Sequence, residues 1–221
     1  MILEVETTQG PGRMHVDGPL DARRVLVLGH GAGGGVEAPD LTALATHLPN
    51  QTEPITPEPI TVVRFEQPWR TAGKKVAPAP KRLDEAWLEA LPQLRSRLED
   101  PVLVLGGRSA GARVACRTAG QLGAAGVLAL AFPLHPPGKP DKSRADELLG
   151  VPVPTLVVQG SRDPFGGDQE VRAALGTASG FSLVPVADAG HELTLPKRAE
   201  RTTESLWQEL AQTIGDFIRG L

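Results

Sequence analysis

Short apolar runs alternate with amphipathic stretches along most of the chain. The runs are apolar at nearly every position, which is typical of parallel strands buried on both faces. They occupy residues 25–28, 60–65, 102–105, 127–131, 155–158 and 181–186. Apolar residues at helical spacing occupy the stretches 41–48, 83–98, 110–122, 169–175 and about 203–218. This alternation predicts a doubly wound, mostly parallel sheet with helices on both faces, in the α/β class.

The start of the chain has a different pattern. Residues 2–7 alternate apolar and polar side chains, residues 9–12 have the composition of a turn, and residues 14–16 can pair back. We therefore expect an N-terminal antiparallel hairpin at one edge of the sheet. A length of 221 residues favours a single domain over 1–221, because one domain commonly takes about 100–200 residues.

Composition excludes several classes of function. A single cysteine, Cys116, cannot form an internal disulfide, and no Cys/His cluster predicts a metal site, so we expect neither metal nor cofactor. A net charge of -3, with five Phe, three Trp and no Tyr, argues against a nucleic-acid surface. No apolar run approaches the roughly 18 residues of a membrane span, and the N-terminus lacks the pattern of a signal peptide. These observations predict a cytoplasmic protein without membrane association.

The motif G-x-S-x-G at residues 107–111 lies between a predicted buried strand and a predicted helix. Such a strand-to-helix turn holds its central residue in strained backbone geometry, and a Cβ on either flanking glycine would clash. The motif predicts Ser109 as a nucleophile whose hydroxyl is exposed at the carboxyl end of a strand. The alternative is a serine that caps a helix in a glycine-rich turn.

A serine nucleophile needs a base, and the base needs an acid to orient it. Asp163 and His191 each follow a later predicted strand, in the chain order Ser, Asp, His. We therefore predict them as acid and base, although Asp163 before Pro164 is also a common turn residue. Asp168 lies too far into the next loop, and Asp188 lies too close to His191. Three other histidines fit worse as the base. His15 lies on the predicted hairpin, His47 lies on a predicted helix, and His135 lies in a Pro-rich loop.

Residues 29–35 read G-H-G-A-G-G-G after the strand at 25–28. Glycine-rich backbone here can direct amides at an oxyanion. We assign the hole to the amides of Ala110 and Ala32, with Gly33 as second choice. The stretch also matches the dinucleotide fingerprint G-x-G-x-x-G, but the acid expected about 20 residues later is missing, since Glu66 lies well beyond that spacing.

Four motifs occur in an order that resembles the α/β-hydrolase superfamily, and they extend over nearly the whole chain. They are the HG glycine loop, the G-x-S-x-G elbow, G-x-x-D-P and G-H. Residues 132–140 and 159–166 also resemble the small, capless hydrolases related to the eukaryotic testis-expressed and NSL-complex subunit group. The resemblance implies an α/β-hydrolase fold with Ser109, Asp163 and His191 as a triad. Dienelactone hydrolases share the compact fold but use Cys as nucleophile, where this chain has Ser109.

These features together predict a serine hydrolase that acts on an ester or thioester of a small acyl substrate through an acyl-enzyme. An acyltransferase using the same triad remains open, as does a non-catalytic protein-interaction module, because fold does not fix function. Oligomeric state is not indicated by the sequence.

The loop after the strand at 60–65 contains a run of cations without an acid: Arg70, Lys74, Lys75, Lys81 and Arg82. This run suggests a negatively charged substrate, with Arg108 beside the nucleophile as a further cation, although such runs are more often solvated surface. We also expect His30, Trp69 and Phe165 to contact the substrate.

The connection at 132–154 leaves the sheet where this superfamily commonly inserts lids. It is too short for an independent core, so we expect no separate cap domain. Its Pro-rich start and a short helix at 144–149 suggest a modest flap, and the alternative is an ordinary surface crossover.

Overall fold

The computed structural model describes residues 1–51 and 58–221. Eight strands of these residues form a sheet in the order β1-β2-β4-β3-β5-β6-β7-β8. The strands are β1 (Ile2–Thr7), β2 (Gly10–Asp17), β3 (Arg24–Gly29), β4 (Ile60–Glu66), β5 (Val102–Arg108), β6 (Gly126–Leu130), β7 (Thr155–Gly160) and β8 (Phe181–Val186). The helices are α1 (Pro39–His47), α2 (Pro68–Thr71), α3 (Pro80–Arg95), α4 (Ala110–Thr118), α5 (Ala145–Leu149), α6 (Asp168–Leu175) and α7 (Thr203–Arg219), and a 3₁₀ turn spans Leu48–Asn50.

The sheet is mostly parallel with an antiparallel N-terminal hairpin, which confirms the predicted α/β-hydrolase fold class. Strands β1 and β2 pair antiparallel, and β2 pairs antiparallel with β4. The strands from β4 to β8 in the sheet order pair in parallel. At the far edge, Pro185 of β8 lies opposite Gln159, and the carbonyl of the next residue, Val186, accepts from the Ser161 amide at 2.9 Å.

Apolar side chains on the two faces of the sheet form two separate clusters. The cluster under α3, α4 and α6 contains the fully buried Trp87, and the cluster under α1 and α7 contains Trp207. Helix α7 shows how such a face arises, because Leu206, Leu210 and Ile214 recur every four residues and are all buried. Burying each such side chain contributes roughly 1.5–3 kcal/mol. None of the helices in the described ranges has the length and apolar character needed to cross a membrane.

Several element boundaries differ from the sequence prediction, and β2 begins at Gly10, inside the predicted turn at 9–12. Strands β5 and β7 extend to Arg108 and Gly160, past the apolar runs that predicted them, because their glycines continue the ladder. Helix α4 ends at Thr118 and not at residue 122, and the irregular stretch 67–81 contains the short helix α2. The irregular stretch predicted at 50–59 lies partly outside the described residues.

The connection from β6 to β7 contains a five-residue helix, α5, and no separate cap domain in the part of the chain that the structure describes. Arg113 of α4 binds Glu147 of α5, with 2.8 Å between Nε and Oε2. The connection therefore packs next to the helix that follows β5, at the carboxyl edge of the sheet.

Candidate active site

The turn from β5 into α4 is strained at Ser109, with φ 54° and ψ -111°. The Ser109 amide donates to the carbonyl of Leu130 at 3.0 Å, which ties the turn to the neighbouring strand. A Cβ on Gly107 or on Gly111 would overlap the backbone of Gly29 in β3. The two glycines of G-x-S-x-G are therefore required by packing, and they set the nucleophile's conformation.

Ser109, His191 and Asp163 come together at the carboxyl ends of β5, β7 and β8. His191 Nε2 lies 2.9 Å from Ser109 Oγ, and His191 Nδ1 lies 2.8 Å from Asp163 Oδ2. An ionised Asp163 accepts a hydrogen bond from Nδ1–H, and this tautomer leaves Nε2 free to accept the Ser109 proton. The arrangement has the geometry of a nucleophile, a base and an orienting acid.

Asp163 is held by a second set of hydrogen bonds. Its side chain is fully buried, its Oδ1 accepts from the Phe165 amide at 2.8 Å, and its Oδ2 also accepts from Gln159 Nε2 at 3.0 Å. The Phe165 ring packs on the His191 ring, with 4.2 Å between centroids. These contacts fix both the acid and the plane of the imidazole.

Gln159 is a site residue that sequence reasoning missed. It is fully buried in β7, and its Nε2 also donates to the carbonyl of Gly166 at 2.6 Å. A polar side chain inside a buried apolar strand, four residues before the predicted acid, was the available signal.

A cavity of about 570 Å³ opens in front of Ser109. The predicted oxyanion residues Ala32, Gly33 and Ala110 line it, together with Phe165 and His191. Ala110 is the first residue of α4, so its amide has no partner within the helix. Among the described residues, no hydrogen bond uses the amide of Ala32 or of Ala110.

His30 and Trp69, predicted to contact substrate, do not line this cavity. His30 is 5% exposed and lies beneath the glycine loop, with its ring 5.4 Å from that of Trp69. Its Nε2 accepts from the Gln67 amide at 3.2 Å and its Nδ1 lies 3.0 Å from the Gly31 carbonyl. Burial lowers the pKa of His30, which keeps the ring neutral. His30 therefore anchors the glycine loop from beneath, and the structure does not place it in the cavity where the sequence led us to expect a substrate contact.

Arg108 lines the cavity, but its charge is already compensated. Its Nε lies 3.0 Å from Asp40 Oδ2, and its Nη2 lies 2.6 Å from Glu192 Oε1. The same Nη2 donates to the carbonyl of His191 at 3.1 Å. One guanidinium thus connects the serine turn, the start of α1 and the histidine loop. Burial raises the pKa of Asp40 to about 6, although the positive charge of Arg108 acts to lower that pKa.

The sequence of residues 22–219 matches the family described as "Alpha/beta hydrolase domain". The chain belongs to this alpha/beta hydrolase family. The match covers most of the chain but does not reach the testis-expressed and NSL-complex subunit group, so that nearer resemblance stays a prediction. No curated protein matches the sequence.

Solved structures resemble this alpha/beta hydrolase over its whole length. An a/b serine hydrolase without lid from Xanthomonas campestris has a TM-score of 0.73 at 24% identity, covering 98% of this chain and 94% of that one. An alpha-beta serine hydrolase homologue from Coxiella burnetii has a TM-score of 0.73 at 19% identity, covering 100% and 97%. A thermophilic esterase from Thermogutta terrifontis has a TM-score of 0.69 at 15% identity, covering 100% and 98%. At these identities the likeness shows the fold.

The cationic run of this hydrolase is not gathered around Ser109. Arg70 lies 3.5 Å from Glu37 and Lys81 lies 3.9 Å from Glu85. Lys74 and Arg82 line a different cavity of about 380 Å³, next to Trp69 and the β1–β2 turn. Most of the run is thus either paired or outside the Ser109 cavity.

Two of the alternative candidates for the base and the acid, His135 and Asp188, have partners away from Ser109. His135 Nε2 lies 3.1 Å from Glu170 Oε1, and Asp188 pairs with Arg162. Within residues 1–51 and 58–221, no three His, Cys, Asp or Glu side chains come together as a metal site requires.

Proposed function

We propose that this protein is a serine hydrolase that cleaves an ester or thioester through an acyl-enzyme. The observation that carries the proposal is the continuous chain of contacts from Ser109 Oγ to His191 Nε2 and from His191 Nδ1 to Asp163 Oδ2, at 2.9 and 2.8 Å. Contacts of this length transfer a proton without rearrangement of the site.

In the first half of the proposed reaction, Ser109 Oγ bonds to the acyl carbon while its proton moves to His191 Nε2. The oxyanion that forms accepts hydrogen bonds from the amides of Ala110 and Ala32, with Gly33 as the second choice. The tetrahedral species then breaks its bond to the leaving oxygen or sulfur, which takes the proton from Nε2. Asp163 supports the positive charge on the imidazole throughout.

In the second half, water attacks the acyl carbon and gives its proton to His191 Nε2. The bond between the carbon and Ser109 Oγ breaks, and Oγ recovers the proton. The products are a carboxylic acid and the free enzyme, so every proton taken by the imidazole is returned.

The strain at Ser109 supports catalysis over a non-catalytic module on the same fold. Backbone conformations of this kind cost about 1–3 kcal/mol and persist where the surroundings impose them. An interaction module has no need of a strained serine in contact with an oriented imidazole, and all three members of the triad are present.

Labelling with a fluorophosphonate probe tests the proposal, since the probe reacts with an activated serine. We expect one labelled peptide, containing Ser109, and turnover of p-nitrophenyl acetate. Ser109→Ala and His191→Ala should each lower kcat/KM by at least about 10³-fold, with a smaller loss for Asp163→Asn, because the triad acts as a unit. Ser182→Ala, on the exposed edge strand β8, is the matched control. Full turnover by Ser109→Ala would overturn the assignment.

A further inference from the structure

We propose that the substrate carries an anionic group of the carboxylate type and that Arg144 binds it. This inference rests on the proposed function, because it concerns the cavity in front of Ser109. Arg144 comes from the connection between β6 and β7, not from the cationic run at 70–82. It lines the same cavity as Ser109 and His191.

Arg144 differs from the other charged side chains that line this cavity. Those others are Glu37, Arg108, Arg113 and Glu192. Arg108 pairs with Glu192 at 2.6 Å, Arg113 pairs with Glu147, and Glu37 pairs with Arg70 at 3.5 Å. Within the described residues, Arg144 is the charged lining side chain with no ion pair inside 4 Å.

The nearest candidate partner for Arg144 is occupied. Glu147 lies three residues on, but its carboxylate accepts from Arg113 Nε at 2.8 Å and from Arg117 Nη1 at 2.7 Å. Burial alone would raise the pKa of Glu147, but these two guanidinium groups hold that pKa below its usual value. Both of these contacts are to Oε2, and Arg113 Nη2 donates to the other oxygen, Oε1, so both carboxylate oxygens of Glu147 are engaged by other arginines.

The guanidinium of Arg144 is nevertheless held in place. Its Nη1 donates to the carbonyl of Pro133 at 3.0 Å, and its amide donates to the carbonyl of Leu134 at 2.7 Å. Partial burial, then the charge of Arg113, lowers the pKa of Arg144, and the charge of Glu147 offsets this only in part. Arginine stays protonated at neutral pH all the same.

A carboxylate fits these conditions. A guanidinium offers five N–H donors in a planar fork, and Arg144 uses one side of it on Pro133, so donors remain for two oxygens of a planar anion. Because the group is pre-positioned by Pro133 and Leu134, it loses little side-chain entropy when a ligand binds. The two acidic side chains that also line the cavity, Glu37 and Glu192, are paired with Arg70 and Arg108.

Paired esters test this inference at low salt. In the acyl arm, p-nitrophenyl hydrogen glutarate is compared with its neutral isostere, p-nitrophenyl 5-oxohexanoate. In the leaving-group arm, 4-acetoxybenzoate is compared with 4-acetoxyacetophenone. The quantity measured is the ratio of kcat/KM for the charged ester to that for the neutral one, after subtraction of spontaneous hydrolysis. The two arms distinguish an anion on the acyl part from an anion on the alcohol part.

We expect Arg144→Gln to lower this ratio about tenfold in one arm, which is the size expected for one charge-assisted contact. Arg144→Glu should lower the ratio further, and Arg144→Lys should restore most of it. Arg172→Gln, an exposed arginine on α6 outside the cavity, is the control and should not change the ratio. An unchanged ratio for Arg144→Gln in both arms overturns the inference, and so does an equal fall for Gln and Lys, which would show a structural role.

A binding measurement separates this inference from the hydrolase proposal. Calorimetric titration of Ser109→Ala with monomethyl glutarate and with 4-acetoxybenzoate needs no turnover, and we expect the double variant with Arg144→Gln to bind one of the two about tenfold more weakly. If no ester is cleaved and no serine is labelled, the hydrolase proposal fails while this titration still decides whether Arg144 binds a carboxylate. Equal binding by the two variants overturns the inference whatever the activity.

Discussion

Two glycine-rich turns follow the neighbouring strands β3 and β5, and they use glycine for different reasons. In the turn after β5, a Cβ on Gly107 or Gly111 would meet the backbone of Gly29. In the turn after β3, a Cβ on Gly33 or Gly34 would meet no atom within 4 Å. The first turn needs glycine to fit, and the second has room to spare.

The difference shows that a glycine count does not reveal what glycine does. After β5, the missing side chains let two backbones approach and force Ser109 into its strained conformation. After β3, small residues leave the space in front of Ser109 open, and the amide of Ala32 has no hydrogen-bond partner among the described residues. One turn is thus defined by contacts inside the protein and the other by the cavity it borders.

The largest expected effect comes from filling the crowded turn. Gly111→Ala should cost at least about 5 kcal/mol of unfolding free energy, because its Cβ overlaps rigid backbone and not a flexible side chain. Chemical denaturation followed by tryptophan fluorescence measures this loss. A loss below about 1 kcal/mol would show that β3 and α4 can separate, and the contrast between the two turns would disappear.

A smaller effect on stability is expected from the pair Asp40 and Arg108. This pair joins α1, which follows the turn after β3, to the end of β5, which precedes the crowded turn. The folded protein keeps a proton on Asp40 up to about pH 6, whereas an unfolded aspartate releases it near 3.8. The folded state therefore binds more protons between these values, and its stability falls as the pH rises through them. At about 1.4 kcal/mol per pKa unit, the full loss is about 3 kcal/mol, of which about 2.4 kcal/mol falls between pH 4 and pH 7.

Asp40→Asn removes this titration and isolates its contribution. The unfolding free energy of the native protein minus that of Asp40→Asn should decrease by about 2.4 kcal/mol from pH 4 to pH 7. Denaturation curves at several pH values provide the measurement. Parallel pH profiles for the two proteins would mean that the buried pair does not shift the titration of Asp40.

The smallest effect is expected in the open turn. Gly34 does not have a left-handed φ, and a Cβ there meets nothing within 4 Å. Gly34→Ala should therefore raise the unfolding free energy by about 0.4–1 kcal/mol, since alanine restricts the unfolded chain. Calorimetry should show a small increase in Tm. A decrease would indicate that this turn also needs glycine for its conformation.

The positions of Ser109, Asp163 and His191 along the chain were predictable, but the directions of the side chains around them were not. Ser109, Asp163 and His191 follow strands whose carboxyl ends meet at one edge, so topology alone predicted their proximity. His30 also follows a strand, yet it turns beneath its own loop because the Gln67 amide binds it there. No local pattern marks that choice, since the partner lies 37 residues away.

Charge pairing was the other part that the sequence could not provide. Arg108 was expected to face substrate because it precedes the nucleophile, but Asp40 and Glu192, from two distant segments, take its charge. Arg144 was named only as the start of a short helix, and its significance depends on Glu147 being bound by others. Such pairings arise when helices pack, so they are properties of tertiary structure.

The edge strand β8 has a consequence for how molecules of this protein meet one another. Val186 faces β7 through its carbonyl, so Pro185 beside it faces the outer side of the strand, where it has no N–H to offer. An uninterrupted outer edge would be a template for pairing with the same edge of another molecule. Proline interrupts that row of donors near its end. Pro185→Val should therefore make the protein more prone to aggregate through sheet extension than its small change in hydrophobicity suggests.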